Sequence, residues 1–105
     1  MLNLGGLTYR VIALESEKLN KLSGSVDEQR LLIQIQDDLL PAVHDSVFLH
    51  EVGHIFGLKW TKTKLERERF ADDFAEFMQS FLHQNAIVPD GWSIKLRDDK
   101  RKAKR

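Results

Sequence analysis

The stretch His50-Glu51-Val52-Gly53-His54 constrains the chain more than any other feature. On a helix, residues four apart lie one turn above each other on the same face. His50 and His54 can then present two imidazole nitrogens to one metal ion. Glu51 is turned about 100° around the same helix. That is too far to be an equal third ligand, and well placed to take a proton from a water at an open metal position. The flanks agree with a helix from about Pro41 to Phe56, because Val43, Val47, Leu49, Val52, Ile55 and Phe56 are apolar on more than one side. Such a helix is central and well buried. Asp37-Asp38 and Pro41 suit its start, and Gly57 is the expected cap at its end.

The chain has no cysteine, so disulfides, thiol chemistry and cysteine-based zinc sites are excluded. A zinc ion here must sit on histidine and carboxylate, and the third ligand must come from elsewhere. Candidates on the next helix are Glu66, Glu68, Asp72, Asp73, Glu76 and His83. Glu68 lies one turn before Ala71 and Asp72 and two turns before Ala75, which puts it at the edge of an apolar surface facing the first helix. Glu66 and Asp73 fall on the wetter side by the same count. Asp72 shares the face of Glu68, where its carboxylate can accept the second N–H of a ligand histidine. His44 points away from the ligand face and is expected at the surface or the helix start. His83 is expected to interact with the C-terminal end of the second helix dipole. Tyr9, the only tyrosine, is expected to pack in a strand.

The second helix is predicted from about Lys64 to His83. Phe70, Phe74, Phe77 and Phe81 form one helical stripe, and Ala71, Ala75, Met78 and Leu82 form its neighbour, both expected in the core. Upstream, Leu7 to Leu14 reads as a strand after a Gly5-Gly6 turn. Residues 15–23 read as loop with room for a short helical turn. Gly24 to Gln36 reads as a hairpin with its turn at Asp27-Glu28-Gln29. Its second arm, Leu31 to Gln36, alternates apolar and polar like a half-buried strand and, if at an edge, would align an extended substrate. Pro89-Asp90-Gly91 marks a turn before a short strand or packed coil over Trp92 to Leu96. Together these elements predict an α+β domain, with a small antiparallel or mixed sheet of about three strands packed on two main helices.

A length of 105 residues fits one domain, read as 1–96 followed by a basic, flexible tail over 97–105. The net charge of zero averages a tail of +4 with a remainder of −4. The tail predicts at most weak contact with nucleic acid. No apolar run is long enough to span a membrane, and the first ten residues lack the pattern of a leader. A cytoplasmic protein is expected.

His50-Glu51-x-x-His54 followed by Glu68-x-x-Ala71-Asp72-x-Phe74-Ala75 resembles the ImmA/IrrE-type zinc metallopeptidases, small phage-encoded members included. The resemblance covers roughly residues 4–83. It implies a minimal zincin fold with Zn²⁺ on His50, His54 and Glu68, and with Glu51 as general base. It also implies cleavage of a protein substrate such as a phage or stress-response repressor. Asp72 departs from the asparagine common in that family and is similar to the gluzincin arrangement, where an aspartate supports a ligand histidine. The competing expectation is a metal-stabilised protein-binding module without proteolytic activity.

Overall fold

The first hairpin shows how local sequence sets the sheet. The computed structural model describes residues 1–93. Strands β1 (Leu2–Leu4) and β2 (Leu7–Leu14) are joined by Gly5-Gly6 alone, both with positive φ. This is the two-residue turn whose twist matches that of paired strands. A 3₁₀ turn (Ser16–Leu19) buries Leu19 and leads to β3 (Gly24–Asp27) and β4 (Leu32–Gln36). Asp27 Oδ1 accepts the backbone N–H groups of Gln29 and Arg30, which fixes the β3–β4 turn. Leu31 adopts a left-handed conformation in that turn, so it is not the first residue of the strand as expected.

The sheet has four strands in the order β1-β2-β4-β3, rather than about three. β2 and β4 run parallel, and the other two pairings are antiparallel. β4 is therefore interior, so the condition under which it would align a substrate is not met; the edges are β1 and β3. Ile33 and Ile35 are fully buried, as an interior strand requires.

Helix α1 (Pro41–Gly57) packs on β3 and β4 on one side and on α2 (Lys64–Gln84) on the other. This explains apolar residues on more than one of its faces. Phe48, Leu49 and Val52 join Tyr9, Ile33, Ile35, Ala75, Leu82 and Trp92 in the core. Val43 and Phe56, expected inside, are exposed. Asp37 and Asp38 lie in the turn after β4 and precede α1 as expected, and the N-terminus of α1 carries Pro41 and no side-chain cap. Gly57 is the last helical residue rather than the cap, which is Leu58.

Only one of the two predicted stripes of α2 is core. Ala71, Ala75 and Leu82 are buried, whereas Phe77 is 70% exposed and Phe81 44%. The phenylalanine stripe is turned about 100° from the alanine stripe, beyond the width of contact with α1. Phe70 and Phe74 recover cover by stacking with Phe56. Thr63 caps α2 by accepting the Glu66 N–H, and Glu66 accepts the Lys62 N–H in return.

The helices meet at small residues. A Cβ on Gly53 would lie 3.0 Å from Ala71 Cα and 3.3 Å from the Ala71 carbonyl oxygen. Only glycine lets the two backbones come this close. No helix among the described residues is long and apolar enough to cross a membrane. Of the predicted Trp92–Leu96 element, Trp92 and Ser93 are buried and the rest lies outside the described residues, as does the 97–105 tail.

Candidate metal centre

The close crossing of α1 and α2 brings His50, His54 and Glu68 together. His50 Nε2 and His54 Nε2 are 3.0 Å apart. Glu68 turns one oxygen to each, at 3.2 Å in both cases. Three atoms bound to one tetrahedral zinc at about 2.0–2.1 Å lie ~3.3 Å from each other. The triangle formed by these three side chains therefore has the size of one face of such a site. Its donor set, two imidazoles and a carboxylate, is the one expected of zinc with an open position.

Asp72 Oδ1 lies 2.8 Å from His50 Nδ1. A proton on Nδ1 satisfies that contact and leaves the Nε2 lone pair aimed into the triangle. His54 is held below the usual histidine pKa, chiefly by burial and also by His50, against the opposing pull of Glu68 and Asp72. That shift favours the neutral, ligand-ready form of His54. The two ligand imidazoles remain about a quarter exposed, at 24% and 23%, so the triangle opens to solvent.

Glu51 sits beside the triangle at 6% exposure, and its Oε2 is buried without a hydrogen-bond partner. A buried carboxylate oxygen without a partner is costly unless something polar reaches it. Its pKa is pushed up to about 7, first by burial, with His50 lowering it and Glu68 raising it. The orphaned oxygen, the triangle and the Asp72 contact all fit a zinc ion carrying a water next to Glu51.

These groups form one wall of a cleft of about 830 Å³. Edge strand β3 and the residues before it form the facing wall, through Leu22, Ser23, Gly24, Ser25 and Val26. Gly24 permits the approach, since a Cβ there would lie 2.7 Å from Val47 Cγ1 and 3.3 Å from Glu51 Cγ. The start of α2 adds Lys64 and Arg67, and the β3–β4 turn adds Glu28.

Each predicted ligand and support, His50, His54, Glu68, Asp72 and Glu51, lines this cleft. Glu66 is taken by the helix cap, and Asp73, Glu76 and His83 lie outside the ligand cluster. His83 instead tilts against Trp92. Tyr9 is buried in the core, as expected. His44 lies in the first turn of α1, the helix start that is one of its two expected places, but it is not at the surface: it is 7% exposed, beside buried Asp45. Asp45 also accepts the backbone N–H and hydroxyl of Ser93, which explains its burial. The β3 wall, Gly24, Lys64 and Arg67 were missed as site residues. Lys64, four residues before Glu68, carried a readable signal, whereas the β3 wall depended on strand order. No family model, no curated protein and no solved structure matches the chain.

Proposed function

We propose that the protein is a zinc-dependent peptidase that cleaves an internal peptide bond of a protein substrate in the cytoplasm. The observation that carries this reading is the ligand triangle with the buried, unpartnered Glu51 carboxylate oxygen at its side. By resemblance, the substrate class is a transcriptional repressor.

His50, His54 and Glu68 would hold the metal, and Asp72 would fix the ring of His50. When bound, zinc supplies Lewis acidity that polarises the scissile carbonyl and acidifies the attacking water. β3 offers its unpaired edge to an extended substrate segment, in the role first expected of β4. Glu51 takes a proton from the water as the water oxygen bonds to the carbonyl carbon. Glu51 then delivers that proton to the amine nitrogen as the C–N bond breaks.

The test is zinc analysis of the purified protein together with cleavage of an unfolded-peptide pool. About one zinc per chain and cleavage by the wild type are expected. Glu51→Gln should keep the zinc and lose cleavage. A wild type that holds zinc but cleaves nothing points to the metal-stabilised binding module instead, and a protein without affinity for zinc removes both readings.

A further inference from the structure

Lys64, Glu68 and Asp72 form one stripe of α2 at spacings of four. Lys64 and Glu68 would ordinarily pair across one turn of such a stripe. Here both Glu68 oxygens are turned to the histidines. Asp72 is likewise engaged with His50. Lys64 is left in the cleft with no ion pair among the described residues, and so is Arg67 three residues on. Of the acids in the cleft, Glu51 is buried beside the triangle and only Glu28, on the β3 side, is uncommitted. The free charge that α2 brings to the cleft is thus two cations, in the turn of the helix that precedes and includes Glu68.

We propose that Lys64 and Arg67 are specificity-determining residues that select a peptide carrying an aspartate or glutamate side chain near the bond to be cut. The inference rests on the use of this cleft for peptides. An acidic side chain on a strand laid along β3 faces the α2 wall, where both cations are solvated and available. Arg67 offers a planar fork to a carboxylate, and Lys64 a mobile point charge.

The experiment measures retention of a randomised decapeptide library on immobilised, zinc-loaded full-length protein at low salt, with cleavage recorded separately. Peptides with Asp or Glu should be enriched about fivefold over their Asn or Gln counterparts, the scale of two exposed ion pairs. The Lys64→Gln/Arg67→Gln double variant should lose the enrichment while keeping zinc, and Arg67→Glu should shift it towards Lys and Arg peptides. Equal retention of acidic and amide peptides, an enrichment unchanged in the double variant, or no retention at all would overturn the assignment. Acid-selective retention without cleavage would sink the peptidase reading and leave the acidic selectivity standing. Cleavage without acidic selectivity would do the reverse.

Discussion

The Nδ1 atom of His50 lies 2.8 Å from Oδ1 of Asp72, a residue four past the candidate ligand Glu68 on the same helix. On the proposed zinc reading, one turn of α2 supplies both a ligand and the group that orients another ligand. Asp72→Asn keeps the shape but turns a charged acceptor into a neutral one. Zinc affinity should fall about tenfold, the lower end of what such supporting carboxylates contribute, because Asp72 is largely exposed. Competition against a chromogenic chelator measures this, and thermal stability of the metal-free protein should not change.

Gly53→Ala tests the helix crossing. In an ordinary helix interior the change would stabilise by about 1 kcal/mol. Here the added Cβ meets the Ala71 backbone, which cannot swing aside. A net loss of about 1–2 kcal/mol is expected, as for overpacked cores. Zinc affinity should fall with it, since separating the helices moves Glu68 from the histidines. A variant with higher Tm and unchanged zinc affinity would contradict the crossing described.

The metal-free protein should lose stability as pH rises. Glu51 is pushed up to about 7 when folded, against 4.5 as the ordinary value. The folded state therefore holds its proton more tightly than the unfolded chain does. Its contribution is full below about pH 4.5 and fades as pH passes through about 7, a change of roughly 3 kcal/mol in unfolding free energy. Urea unfolding of apoprotein between pH 5 and pH 8 should show this slope, and Glu51→Gln should remove it and leave the opposite, rising contribution of His54, whose lowered pKa favours the folded state as pH rises.

Asp45→Ala should be among the most destabilising single changes. It leaves the Ser93 N–H and hydroxyl without their acceptor, and His44 Nδ1 without its partner, all in a buried site. A loss of about 2–4 kcal/mol follows from those unmet donors. By contrast, exposed Phe77→Ser should cost under about 1 kcal/mol. Denaturant midpoints of the two variants give the comparison.

The clustering of the candidate ligands was legible because helical spacing is local: His50, Glu51 and His54 need only α1 to be a helix. Glu68 was legible because its offset from Ala71 and Ala75 gives its bearing on α2. Strand order was not legible in the same way. Leu32 to Gln36 alternates as an edge strand would, yet β2 pairs with it in parallel and encloses it. That pairing joins segments separated by β3 and leaves no local trace. The Gly5-Gly6 turn was legible, but the strand before it was not, because β1 has only three residues. The burial of His44 at the start of α1 was not legible because it is tied, through Asp45, to Ser93, 49 positions away. Phe77 was misplaced because period alone does not say how wide a stripe the partner helix can cover.

β3 spans four residues, Gly24 to Asp27. A docked segment gains only about one backbone hydrogen bond per residue of such a rail, whatever its own length. The cleft can therefore read a window of a few residues, and a folded loop held at both ends would not lie flat in it. On the proposed peptidase reading, a target would need a short stretch already loose as well as an acidic side chain for Lys64 and Arg67, so unfolding in the substrate would help set the timing of cleavage.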